Sequence, residues 1–427
     1  MSLDSGSLSV PNPETGKTDR IDLPMRAFSG GFYNNLKTMY DYLGVQYRPQ
    51  RFLFGFSTIA PKLSCKPKTA PQERLHFVHS SNNHILFPMR PHTATFLSHL
   101  IEVLYLIVWY AWFTICCFLV APFPHESFRS YVQRIYLPSY FVSSYLLPLF
   151  CSVATCPHDE LMEFPAHDLI DYKKRTNGDQ HYTVHGGVSQ VQTKLTEGLN
   201  VRKSAKVISV EPQTQGTTRV RWENTLNNPK STISEAIFDK VILAVPPNVV
   251  QAIFKPLEYE MSQIPTIPVQ SIVHADETSL GRITGTIQHS LSAKTVMKGS
   301  EGQIIYLRTF AGKEPQTESI HIQPSGLLVT TCPVSVIDPA KTKQSTTFTR
   351  VLRTPKSRQI LRDVFDRSSP SPSAQALQEK SKTQWRNGDE GVWLVGGWCW
   401  DGMVLLEGCI VSSMVVAKAF GVEIPWL

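Results

Sequence analysis

Apolar residues along this chain change their period several times, and each change predicts a different element. Residues 1–20 are polar and predict a disordered start or a longer loop. "RIDLPMRAFSGGFYNNLKTMYDYLGV" then predicts a short strand, a turn at Gly30 and Gly31, and a helix. Leu36, Met39, Tyr40 and Leu43 follow the i, i+3, i+4, i+7 rule, and Gly44 stops the helix. "FLFGFSTI" and "RLHFVHS" predict strands. Between Glu102 and His125 lie 22 residues without a charge, "VLYLIVWYAWFTICCFLVAPFP". Residues 126 to 172 predict helices broken by Pro138, Pro148, Pro157 and Pro165.

A compact unit follows. "HYTVHGGVSQVQTKLTEGLN" predicts a Gly-Gly turn opening a helix from Ser189 to Leu199, and "VRKSAKVISVEPQ", "TTRVRWEN" and "AIF" predict two or three strands in a meander. "KVILAV" predicts a strand closed by Pro246 and Pro247 before another helix. It is apolar at nearly every position, as a strand covered on both faces should be. Residues 265 to 335 alternate like an antiparallel sheet, and 345 to 366 and 405 to 420 predict helices.

The uncharged segment, residues 103–124, would make roughly 33 Å of helix, enough to cross a bilayer's hydrocarbon core. A single span would place residues 1 to 102 and 125 to 427 on opposite sides of a membrane. The competing expectation is a helix that lines an apolar tunnel or dips into one leaflet.

Composition narrows the function classes. A chain of 427 residues, 42% hydrophobic and 18% charged, is long enough for two or three domains. The net charge of +7 is scattered with no basic run, which argues against nucleic acid. The eight cysteines show neither CxxC pairs nor zinc spacing, so no metal is expected, and the N-terminus has no signal-peptide core. Reduced thiols in a membrane-associated or cytoplasmic protein, not a secreted one, are the expectation. Thirty prolines argue against a helical bundle. GxSxG and P-loop patterns are missing from the sequence, which argues against hydrolase and kinase readings.

Five motifs in order carry a resemblance: "IDLPMR" (21–26), "TVHGG" (183–187), "DKVILAVPP" (239–247), "IVHADE" (272–277) and "WLVGGWCWDGMVLLEGC" (393–409). In order and approximate spacing the chain resembles the flavin-containing amine oxidase superfamily, with protoporphyrinogen oxidase and phytoene-desaturase-like enzymes. The resemblance implies a mixed α/β (α+β) fold. A partial FAD/NAD(P)-binding Rossmann-like domain would interleave with a substrate domain of antiparallel sheet and helices. The implied segments are a polar start (1–20), substrate domain (21–157, with the apolar helix 103–124, and 255–384) and FAD-binding parts (158–254 and 385–427). In the relatives, strands before and after the apolar helix join one sheet.

The resemblance also implies site residues. Gly186 and Gly187 would turn sharply beside the cofactor, the Val207 backbone would contact adenine, and Ala244 to Pro246 would lie near the dinucleotide. Gly396 and Gly397 would let backbone approach the flavin, and Leu406, with Glu407 and Gly408, would face its pyrimidine edge at a helix N-terminus. Trp398 and Trp400 would border the ring. Asp401 and His274 are the candidates for moving protons, although a lone strand His is more often a satisfied structural residue.

The implied cofactor is FAD, the implied reaction hydride removal from an apolar small molecule, and the implied setting lipid or secondary metabolism. One part of the pattern is missing from the sequence: no GxGxxG is present to hold a pyrophosphate. The expectations are therefore weak flavin retention by this chain alone, and either a truncated oxidase or a non-catalytic, membrane-associated scaffold that binds an apolar ligand.

Overall fold

The computed structural model describes residues 6–12, 16, 18–59, 73–80, 90, 94–214, 216–224, 233–280, 302–365 and 385–427. The described chain forms mixed helices and sheets in two compact units. The first holds residues 1–195 and 268–350, the second residues 196–267 and 351–427.

In the first unit the polar start is a hairpin rather than a loop. β1 (Leu8–Pro11) pairs antiparallel with β2 (Thr18–Ile21), because Leu8 and Val10 pack on a small core of Ile21, Leu23, Val273 and Val329. β3 (Phe28–Ser29) leads to α1 (Asn34–Tyr42), whose buried Leu36, Met39 and Tyr40 match the predicted face. β4 (Tyr47–Pro49), β5 (Arg51–Ile59) and β6 (Glu73–Ser80) follow.

α2 (Phe96–Leu119) starts on Thr95, whose side chain accepts from the Ser98 amide, and ends where Val120 turns extended before Pro122 and Pro124. The helix therefore begins and stops before the uncharged segment does. The proline-broken region holds α3 (Phe128–Arg134), α4 (Ser139–Phe141) running through a π-turn at Val142–Leu146, α5 (Leu147–Ala154), α6 (His158–Met162) and α7 (Ala166–Thr176). β7 (His181–Val184) lies between β3 and β4 in a three-stranded sheet, and α8 (Ser189–Thr196) follows.

The second unit opens with the meander β8 (Ala205–Pro212), β9 (Thr218–Asn224) and β10 (Ile233–Phe238). β11 (Val241–Leu243), α9 (Pro247–Ile253) and α10 (Glu258–Ser262) come next.

The chain then returns to the first unit with β12 (Thr266–His274), β13 (Gly302–Phe310), β14 (Gln316–Ile322), β15 (Leu328–Thr331) and β16 (Thr342–Val351). These join β5 and β6 in one sheet ordered β16-β12-β15-β14-β13-β5-β6. Two expectations need correction here. β13 runs parallel to β5, so the sheet is mixed. Residues 342–351 are a strand and not the start of a helix: "TKQSTTFTRV" alternates its burial along the strand, and its threonines favour extended backbone.

α11 (Pro355–Phe365), β17 (Val392–Leu394) and α12 (Leu406–Ala419) complete the second unit. Its core gathers Leu243, Val250, Phe254, Leu257, Leu394 and Trp398.

Candidate functional site

In the second unit β17 pairs in parallel with β11, Ile242 opposite Trp393 and Leu243 opposite Leu394, and the Val395 amide donates to the Leu243 carbonyl at 3.1 Å. The other edge of β17 is closed by the chain itself. The Leu394 amide donates to Asn387 Oδ1 at 2.7 Å, Asn387 Nδ2 donates back to the Leu394 carbonyl at 3.4 Å, and the Gly388 amide donates to the Val392 carbonyl at 2.9 Å. Asn387 thus stands in for a neighbouring strand.

Beyond β17 three glycines bring the strand end onto the first turn of α12. A Cβ on Gly397 would lie 2.8 Å from the Leu405 carbonyl oxygen, and one on Gly408 would lie 2.7 Å from the Gly397 oxygen and 2.3 Å from the Trp400 ring. Gly396 sits at φ +149°, where an L side chain is strained. Ser412 ties the two elements together, accepting from the Gly396 amide at 3.0 Å and donating to the Gly408 carbonyl at 2.7 Å. α12 starts at Leu406 with no side-chain cap, so its N-terminal dipole faces whatever lies beyond that turn.

The tryptophans are fixed in place. Trp398 is buried and donates its indole N–H to the Val245 carbonyl at 3.1 Å, which ties the Ala244–Pro246 turn to this segment. Trp400 donates to Met403 at 2.9 Å and lies against Gly402 and Gly408. Buried Arg353 holds the loop from behind, donating to the Trp400 carbonyl at 2.6 Å and the Trp398 carbonyl at 2.7 Å. Asp401 is exposed and paired with Arg358 and Arg362 of α11. Burial pushes the Cys399 thiol well above its ordinary range, so it stays protonated.

The structure thus assembles Ala244, Pro246, Gly396, Gly397, Trp398, Trp400, Leu406, Glu407 and Gly408 within one unit. Glu407 is buried in the first turn of α12. Val207 is exposed on β8, an edge strand of the meander, and is not a core residue.

Gly186 and Gly187 lie in the first unit, both with positive φ. A Cβ on Gly187 would meet Arg20 Cγ at 2.3 Å and Asp22 Oδ1 at 2.8 Å. The Asp22 carboxylate accepts the Val188 amide through both oxygens at 3.2 Å. "IDLPMR" and "TVHGG" therefore meet directly.

His274 is fully buried, with Nε2 bonded to Thr330 Oγ1 at 2.8 Å and Nδ1 accepting the Asp276 amide at 3.2 Å. Burial lowers its pKa. Both ring nitrogens are occupied, so this His does not serve as a proton carrier as placed. Among the described residues no group of His, Cys, Asp or Glu could hold a metal.

Sequence reasoning missed Arg353, Asn387 and Asp22. Arg353 had one signal, a charge directly after the apolar pair Val351–Leu352. An Arg353→Ala change is expected to cost about 3 kcal/mol, because it leaves two carbonyls without their charged donor. Urea unfolding followed by tryptophan fluorescence measures this.

Residues 126–275 match the family described as "Flavin containing amine oxidoreductase". No curated protein matches the chain. Among solved structures, it is similar to a putrescine oxidase bound to putrescine, at 12% identity, covering 97% of this chain and 90% of that one with a TM-score of 0.42. It is also similar to a reduced UDP-galactopyranose mutase, at 9% identity, covering 98% of this chain and 88% of that one with a TM-score of 0.45.

The family's cofactor is a flavin, and the second unit can be tested for fit to one. The uncapped start of α12 supplies a positive dipole end, and Gly397 and Gly408 pack so closely that no side chain separates β17 from that turn. These features fit the electron-rich pyrimidine edge of a flavin.

Proposed function

We propose that this chain serves an FAD-dependent oxidation of an apolar small molecule, with the flavin's pyrimidine edge at the first turn of α12. One observation carries the reading: the end of β11, the Gly396–Gly397 pair, two anchored tryptophans and the uncapped helix start converge within one unit. When bound, a flavin supplies hydride acceptance at its N5. The Leu406 amide would donate to the pyrimidine edge, the Gly396–Gly397 backbone would lie along the cofactor, and Trp398 and Trp400 would exclude water beside it. Arg353 is a positioning residue that holds the two tryptophans.

A second reading, a non-catalytic scaffold, is favoured by a different observation. Backbone groups that a dinucleotide or a neighbouring strand would engage are satisfied internally, Val188 by Asp22 and Leu394 by Asn387.

Titration of the purified chain with FAD, read by flavin fluorescence, separates the two. The oxidase reading expects weak, saturable quenching, because no GxGxxG cradle contributes its charge-assisted bonds of roughly 1.5 to 3 kcal/mol each. It further expects at least about a tenfold loss in Gly397→Ala, whose new Cβ pushes the strand end from α12. No quenching in the parent, with the fold intact, supports the scaffold.

A further inference from the structure

Among the described residues α2 is the one helix long and apolar enough to cross a membrane, yet only one of its faces is covered. The covered face is fastened along its whole length. Near its start, Glu102 accepts from the hydroxyls of Tyr140, at 2.9 Å, and Tyr145. In the middle, Trp112 Nε1 donates to the Ile135 carbonyl at 2.8 Å, and Phe113 and Cys117 are fully buried. At its end the Tyr131 hydroxyl bonds the carbonyls of Cys116 and Val120 at 3.1 and 3.0 Å.

The opposite face is an unbroken stripe. Ile101, Leu104, Val108, Ile115, Phe118 and Leu119 are between 49 and 79% exposed, over a helix roughly 36 Å long.

The sheet excludes a crossing. β5 and β6 precede α2 in the chain, β13 follows it, and β5 pairs with both in one sheet, with nine residues in register against β13. A span would separate β5 from β13 by a bilayer. The helix is also not the wall of a tunnel, since the stripe faces out.

We infer that α2 docks in the plane of a lipid bilayer, its exposed stripe in one leaflet and the first unit taking the place of a polar helix face. The chemistry of the stripe selects lipid over a protein partner. Protein interfaces carry hydrogen bonds throughout, about one per 100 to 200 Å². At the margin of this stripe the Trp112 indole N–H is already donated to Ile135, and the single carboxylate of the helix, Glu102, is held by tyrosines on the covered face. A contiguous exposed apolar face of this kind marks a surface that meets a protein or a membrane. Exposed Tyr136 and Tyr140 supply amphipathic rings suited to the headgroup level, beside the exposed apolar ring of Phe123. Arg134, stacked on Phe123 at 4.1 Å, is paired with Glu126, so apolar insertion and not charge is the main attraction.

The test is co-sedimentation of the full chain with neutral phosphatidylcholine vesicles. Binding is expected with little salt dependence, and the triple variant Leu104→Glu, Val108→Glu, Ile115→Glu is expected to lose at least about tenfold. Because all three positions are exposed, the variant should keep its circular dichroism. Should it unfold, quenching of the parent's tryptophan fluorescence by brominated lipid, reduced in Trp112→Phe, reads the same insertion. Epitopes at both termini of the vesicle-bound chain should be cleaved by protease added outside. No vesicle binding by the parent, undiminished binding by the folded triple variant, or protection of one terminus would overturn the inference. So would a dimer that the triple variant dissociates in the absence of lipid binding.

Discussion

Lowering the pH from 7 to 5 is expected to destabilise the unit of residues 1–195 and 268–350 by several kcal/mol. Four histidines in that unit, His158, His181, His274 and His321, have their pKa values lowered by burial, His158 and His321 to about 4. His158 is buried against the Thr317 hydroxyl at 2.7 Å, and the Nδ1 of His321 has no partner among the described residues. In the unfolded chain each titrates near 6.5. A folded pKa below the unfolded one means that the unfolded state binds more protons between the two values. The stabilisation is therefore complete above pH 6.5 and is lost as the pH falls toward 4. At pH 5 this amounts to roughly 2 kcal/mol for each of His158 and His321. Urea midpoints at pH 7, 6 and 5 measure it, and a His321→Leu variant should show a shallower slope. A midpoint that does not move between pH 7 and 5 would refute the burial of these rings.

Replacing Glu318 by Ala is expected to cost about 3 to 5 kcal/mol, because it strands a buried guanidinium. Glu318 accepts from Arg308 at 2.7 Å, the Val334 amide at 2.8 Å, and the Ser335 amide and hydroxyl at 3.1 Å each. Both side chains are nearly sealed from water, 7% and 1% exposed. The pair crosses β13 to β14 and fastens the turn after β15, so its loss loosens the middle of the mixed sheet. Arg308→Met combined with Glu318→Met should recover much of the loss, since it removes both charges together. Thermal unfolding of the single and double variants gives the comparison; a double variant no more stable than Glu318→Ala would contradict it.

Much of the fold was legible because local pattern and burial agree. α1 shows its buried face in Leu36, Met39 and Tyr40, β11 its apolar run, and α12 its start after Gly396 and Gly397. Where the reading failed, tertiary contacts decided. The polar start pairs as a hairpin because Ile21 finds Val273 and Val329, some 250 and 310 residues on, a contact no local window contains. β16 reads ambiguously because its alternation runs between half-buried and exposed positions, with little apolar contrast. The parallel pairing of β5 with β13 is equally non-local, and it is the feature that decides the fate of α2. At the site, the glycines and tryptophans stood out in the sequence, but their reasons did not. Gly397 is required by the Leu405 carbonyl, Gly408 by the Gly397 carbonyl and the Trp400 ring, and Arg353 reaches the tryptophan carbonyls from 45 and 47 residues away.

The most direct test of the flavin site is hydrogen exchange of the full chain with and without saturating FAD. Protection concentrated in the peptide spanning Gly396 to Gly408, where an uncapped helix start gains an acceptor, is the expected result. FAD that leaves this segment's exchange unchanged while protecting another would contradict the assignment.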